Sequence, residues 1–243
     1  MKDRISEPRI IEDRELAEYY SLMAKRYMRI PCQRVLSRIR AKGIENGKAI
    51  DVGTGPGIFP IFLSKALPGI RFKGIDLSPI MIDLAERNAI EEGLRGQIEF
   101  QIGSAYSLPC EDQSVDLILC INTLHHLDRP IDFFNEVVRA LKEGGAFVIV
   151  DFHRDTFPLL IWTFNVLWKF FFRGHPKAKD GFLESVRSSY TLEECLNFLR
   201  ASRLKNWNLY TRTIEVWIES KKVKGIFNEA SRHGDGRNQV PPL

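Results

Sequence analysis

Apolar residues along this chain recur in two rhythms, one of helical period and one of short unbroken runs. Leu16, Tyr19, Tyr20, Met23, Tyr27 and Ile30 fall at helical spacing, and Pro31 ends that helix or starts the next. Apolar runs bounded by turn residues follow at 50–52, 72–76, 98–102, 115–121 and 147–151, and these read as buried parallel strands. Pro79 at a helix start and Gly93 past its end bracket one crossover helix. Pro130 and Gly144 bracket another, with Ile131, Phe134, Val138 and Leu141 on its inner face. Residues 191–201 read as a helix, and 207–211 and 214–219 as strands able to pair. No internal repeat interrupts this alternation, which predicts an α/β fold.

The first strand runs directly into Ala49-Ile-Asp-Val-Gly-Thr-Gly-Pro-Gly57, three glycines at alternate positions. Without a Cβ, glycine lets the backbone turn tightly and approach a ligand. The second strand ends in Asp76, 19 residues past Gly57, where a carboxylate meets a ribose in nucleotide-binding α/β folds. A nicotinamide dinucleotide does not fit. Its fingerprint is G-x-G-x-x-G, whereas this loop is G-x-G-x-G with Pro56 inside it.

Read with its neighbours, the loop resembles motif I of the class I S-adenosylmethionine-dependent methyltransferases. Further segments match that family in order, from about residue 16 to about residue 219. Leu77-Ser78-Pro79 looks like the acidic loop after the second strand, and the resemblance implies that Asp76 holds both ribose hydroxyls. Gly103-Ser-Ala-Tyr-Ser-Leu-Pro109 is similar to the segment that packs on the adenine. Residues 115–128 resemble the fourth strand and its catalytic-side loop, and 136–150 the helix, double-glycine turn and fifth strand. One departure is Ser104, where the family usually carries Asp; a hydroxyl still accepts a hydrogen bond. The fold implied is a seven-stranded, mostly parallel Rossmann-like sheet of order 3-2-1-4-5-7-6 with helices on both faces. S-adenosyl-L-methionine is the cofactor implied, with S-adenosyl-L-homocysteine as its product. The pattern is most like the small-molecule and quinone-biosynthesis members, which makes the expected acceptor a small apolar or amphipathic O, N or C nucleophile.

Composition adds bounds. The 243 residues suit one α/β domain with a sizeable core. Hydrophobic content of 44%, charged content of 27% and a net charge of +4 are ordinary for a globular chain. Cys32, Cys110, Cys120 and Cys195 form neither a C-x-x-C nor a Cys/His cluster, so no metal site or disulfide framework is expected. The N-terminus lacks the apolar core of a signal peptide, which sets a reducing cytoplasm as the expected location. No Asn-Pro-Pro-Tyr-type motif or separate basic domain is present, so nucleic acid is not an expected partner. An RNA or protein methyltransferase, or a non-catalytic cofactor-binding regulator, is the alternative.

The resemblance assigns the cofactor to Tyr20, Arg26, Tyr27, Asp51, Gly53, Thr54, Gly55, Pro56, Gly57, Asp76, Leu77, Ser104, Ala105 and Asn122. Each has a structural reading beside it: the glycines as a turn, Tyr20 and Tyr27 as core, Asp51 as a strand-end acid. His125, His126 and His153 are the candidate acid–base groups, needed only where the acceptor must shed a proton.

Residues 157–172 form a dense aromatic and aliphatic run between the fifth strand and the last helix, too short to span a bilayer and interrupted by Lys169. Asn165, Lys169 and Arg173 leave a narrow polar stripe, and His175, Lys177 and Lys179 continue the basic run. Three readings stand: a buried cap helix, an apolar substrate pocket, or a peripheral-membrane or homodimer contact through 157–179. The chain thus divides into an N-terminal helical lid (1–45), the cofactor-binding core (46–155), the aromatic insert (156–189), a C-terminal helix and hairpin (190–224) and a disordered tail (225–243).

Overall fold

A computed structural model describes residues 4–5, 12–173 and 180–221. The expected tail, 225–243, and His175, Lys177 and Lys179 lie outside the described residues. Strands β1 (Gly47–Val52), β2 (Ile70–Asp76), β3 (Glu99–Ile102), β4 (Val115–Ile121), β5 (Leu141–Phe152), β6 (Trp207–Arg212) and β7 (Glu215–Ser220) form one sheet. Its order is β3-β2-β1-β4-β5-β7-β6, as the resemblance implied. The pairs β1–β2, β1–β4, β2–β3 and β4–β5 are parallel, while β7 runs antiparallel to both β5 and β6.

Helices α1 (Arg14–Tyr27), α2 (Arg29–Lys42), α3 (Ile58–Ala66), α4 (Pro79–Glu91), α5 (Pro130–Ala140), α6 (Pro158–Phe171), α7 (Gly181–Ser188) and α8 (Leu192–Ala201) surround it. Pro31 falls in the first turn of α2, where a missing N–H costs nothing. Strand β4 shows why the sheet is central: Leu117, Ile118, Leu119 and Cys120 are all fully buried. Its side chains alternate by period two. Leu117, Leu119 and Ile121 pack with Val35 and Ile39 of α2, while Ile118 and Cys120 pack with Phe133 and Phe134 of α5 and Leu199 of α8.

Two expectations are corrected. Helix α5 ends at Ala140, well before Gly144, because Leu141 already pairs with Val115 of β4. Its buried stripe is Phe133, Phe134, Val137 and Ala140; Ile131 and Val138 are only half-buried, since Phe133 rather than Ile131 points to the sheet. The aromatic segment is not a buried cap: α6 has no buried side chain.

Candidate cofactor and acceptor site

The carboxyl ends of β1, β2 and β4 open into a cavity of about 440 Å³. Crevices outside the carboxyl ends of parallel strands are where α/β folds bind ligands. The glycine loop forms its floor. The amides of Gly53 and Thr54 both donate to the Ile75 carbonyl, at 2.8 and 2.9 Å, which ties the loop to β2. Gly53 has φ +69°, and a Cβ there would meet the Thr123 side chain at 2.2 Å, so only glycine fits.

Two carboxylates face this loop. Asp76 accepts from the amides of Gly55 and Ser78, each at 2.9 Å. Asp51, fully buried at the end of β1, accepts from the Thr54 hydroxyl at 2.8 Å. Burial pushes the Asp51 carboxyl up to about 7, against the Thr54 hydrogen bond and with help from the nearby Asp76 charge. Burial likewise raises Asp76, opposed by its amide donors. Glu12, Asp13 and Glu184 add three more carboxylates, and among the described residues no Lys or Arg lines the cavity. Such a surround repels phosphates and welcomes a cation.

Of the cofactor residues expected from sequence, Tyr20, Asp51, Gly53, Thr54, Gly55, Pro56, Asp76, Leu77, Ala105 and Asn122 line this cavity, with His125 and His126 at its wall. The rest stand elsewhere. Arg26 sits over the ring of Tyr27 at 5.6 Å, and Tyr27 packs on Phe171 at 4.7 Å, because α1 turns this face toward α6. Gly57 caps α3 with φ +77°, where a Cβ would press on Ala85 and Phe100 at 3.0 Å; its role is packing. Ser104 is spent on its own turn, its hydroxyl accepting from the Tyr106 amide at 3.2 Å. His153 is buried beside β7, its amide donating to Ile214 and its Nε2 3.2 Å from the Thr156 hydroxyl. Burial lowers its pKa, and it does not reach the cavity.

The residue that sequence reasoning passed over is Asp151. Both its oxygens serve His125: Oδ1 lies 2.7 Å from Nδ1, and Oδ2 accepts the His125 amide at 2.8 Å. Both side chains are buried. An acid closing β5 beside a histidine following β4 was the available signal, since those strands are neighbours in this fold.

A second cavity, of about 270 Å³, adjoins the first. Met28, Ile121, Asn122, Phe152, Trp168 and Phe182 border both. Beyond that wall the lining is mostly apolar, with Val35, Phe164, Leu167, Phe171 and Trp217, and with Arg34 held bidentately by Glu215 at 2.8 and 2.9 Å. Asn122 ends β4 at φ +53°, a left-handed conformation that Asn tolerates better than most residues, and this turns the chain between the two cavities.

Comparison with known proteins agrees with this geometry. Residues 50–149 match the methyltransferase domain family. The ajmaline N-methyltransferase of Rauvolfia serpentina is 34% identical over 110 residues, 45% of this chain and 38% of that one. The demethylmenaquinone methyltransferase of Deinococcus radiodurans is 27% identical over 205 residues, 77% of this chain and 80% of that one. In fold, a SAM-dependent methyltransferase from Aquifex aeolicus superposes with TM-score 0.62 at 19% identity, covering 86% of this chain and 99% of that one. The chain therefore carries a methyltransferase domain over residues 50–149 and shares the fold of solved S-adenosylmethionine-dependent methyltransferases. It spans well under half the length of the plant N-methyltransferases it matches. S-adenosylmethionine is the cofactor of such methyltransferases, and its ammonium and sulfonium suit a cleft of carboxylates with no Lys or Arg among the described residues.

Proposed function

We propose that the chain transfers the methyl group of S-adenosylmethionine to a small apolar or amphipathic acceptor seated in the second cavity. The observation that carries this reading is the charge of the first cavity, five carboxylates and no Lys or Arg among the described residues. Asp76 would hold the ribose hydroxyls, and Asp51 the methionine ammonium. The backbone of Gly53–Gly55 would lie under the cofactor, Ala105 beside its adenine, and Tyr20 of α1 above it as part of a lid. Bound there, the cofactor supplies an electrophilic methyl group on a good leaving group. In-line displacement then asks the chain chiefly to position the acceptor atom, which the Asn122 wall between the cavities supports.

Where the acceptor must lose a proton, His125 takes it. Asp151 accepts from Nδ1–H and so favours the tautomer in which Nε2 is the basic nitrogen. The mostly apolar second cavity favours acceptors of ring or hydrocarbon character, and relatives named for N- and C-methylation of small molecules agree. The reading places the reaction in the cytoplasm; among the described residues no helix is long and apolar enough to cross a membrane.

Calorimetry with S-adenosylmethionine, S-adenosylhomocysteine and NAD tests the first half, with binding expected for both sulfur nucleosides and none for NAD. Metabolite profiling of an extract incubated with the protein and labelled methyl donor tests the second. NAD binding without either sulfur nucleoside, or label entering only macromolecules, overturns the reading.

A further inference from the structure

Helix α6 presents apolar residues on opposite sides. Ile161, Phe164 and Trp168 turn inward and pack with Phe182 and Phe152. Leu159, Trp162, Val166 and Phe170 lie on the other side at three- and four-residue steps, with exposures of 61, 63, 47 and 60%. Phe157, just before the helix, is 66% exposed and lengthens this stripe. Contiguous exposed apolar surface of this kind marks a contact on an otherwise globular protein.

The surroundings say what kind of contact. The helix contains no Asp or Glu. At its C-terminal end, Arg173 lies over the Phe170 ring at 5.1 Å. The Tyr27–Phe171 contact brings the α1–α2 junction to the same end, with Arg26 and Arg29 exposed on it. Lys169 also stands there, paired with Asp180 at 3.0 Å. An apolar stripe edged by cations matches the interface of an anionic bilayer, where rings enter the acyl boundary and guanidinium groups meet phosphates. At 14 residues the helix is about 21 Å long, too short to cross and suited to lying in the headgroup plane. A second copy of the chain is the poorer occupant, because a self-complementary contact through α6 would supply these cations with no carboxylate from the same helix.

We propose that the outer face of α6 docks on the surface of an anionic lipid bilayer. The helix is also a wall of the second cavity through Phe164, Leu167 and Phe171. On the proposed function, docking would therefore set the acceptor cavity against the lipid from which an apolar acceptor partitions; the docking itself does not depend on that function.

The test is flotation of the full chain with vesicles of phosphatidylcholine alone or mixed with phosphatidylglycerol. Binding is expected on the mixed vesicles, weakened by salt and at least about tenfold weaker on phosphatidylcholine alone. The exposed-face variant Trp162→Ser/Phe170→Ser should lose about tenfold or more in partitioning, and Arg29→Gln/Arg173→Gln a similar factor on anionic vesicles. S-adenosylhomocysteine binding, measured on the same preparations, should be unchanged in both variants. Failure of the wild type to bind that nucleoside would sink the proposed function and leave the vesicle result standing. The docking proposal is overturned by absence of flotation with mixed vesicles, by variants that float like wild type, or by a dimer in sedimentation equilibrium that Trp162→Ser/Phe170→Ser dissociates.

Discussion

Asp151 grips His125 twice, by ring nitrogen and by backbone amide, at 2.7 and 2.8 Å in a buried setting. The carboxylate closes β5, and the histidine opens the loop after β4, so the contact exists only because these strands are neighbours. It orients an imidazole at the wall of the glycine cleft.

Replacing Asp151 with Asn should therefore lower kcat by at least about tenfold for an acceptor that must lose a proton, with little change in cofactor affinity. His125→Gln should fall by a similar factor. A buried amide group would also face a donor it cannot pair, costing about 1–3 kcal/mol of stability. Steady-state kinetics beside calorimetry with S-adenosylhomocysteine checks this; unchanged turnover in both variants would remove the base from the mechanism.

Asp76→Ala should weaken cofactor binding by about 1.5–3 kcal/mol, the scale of hydrogen bonds to a charged group. The chain should still fold, because Asp76 is only partly buried, although two loop amides lose their acceptor. Isothermal titration and a thermal melt separate the two effects. Wild-type affinity in this variant would show that the ribose is held elsewhere.

The raised Asp51 carboxyl gives a pH signature. Its folded-state pKa of about 7 stands above the ordinary 3.8, so between those values the folded chain holds a proton that the unfolded chain has released. Stability of the ligand-free protein should thus decline as pH rises from about 4 to about 7, and this contribution should level off above that. A cationic ligand favours the ionised form, so the gain in melting temperature from S-adenosylmethionine should grow with pH over the upper part of the same window. Asp51→Asn should flatten both trends. Melts across this range with and without cofactor provide the readout, and parallel curves for wild type and variant would contradict the assignment.

The aromatic residues of α6 should separate into two groups. Phe164 and Phe171 line the apolar cavity, whereas Trp162 points away from it. Phe164→Ala and Phe171→Ala should raise the acceptor KM, each lost methylene-sized contact being worth about 0.8 kcal/mol, and leave cofactor affinity near wild type. Trp162→Ala should leave the soluble acceptor's KM unchanged and shift stability by no more than about 0.5 kcal/mol. An equal KM response at all three positions would mean that the cavity is not the acceptor site.

Local pattern determined much of this protein. Short apolar runs bounded by turns marked the five parallel strands, because a strand buried on both faces has no polar alternation to offer, although β3, expected to be buried, lies exposed at the sheet edge with Ile102 54% exposed. The alternate glycines and the acid at the end of β2 marked the ligand-binding end, since backbone approach and strand-end carboxylates are properties of a few adjacent residues. Tertiary structure decided the rest. It set Tyr20 over the cleft while turning Arg26 and Tyr27 toward α6, because one helix presents different faces to different neighbours. It buried His153 beside β7 and joined His125 to Asp151, which are 26 residues apart. It packed the inner side of α6 on Phe152 and Phe182 and left its outer side, with Trp162 and Phe170, exposed, because a helix apolar on both sides can seal only one of them on the rim of the sheet. Periodicity reports which residues share a face; only the packed fold decides what that face meets.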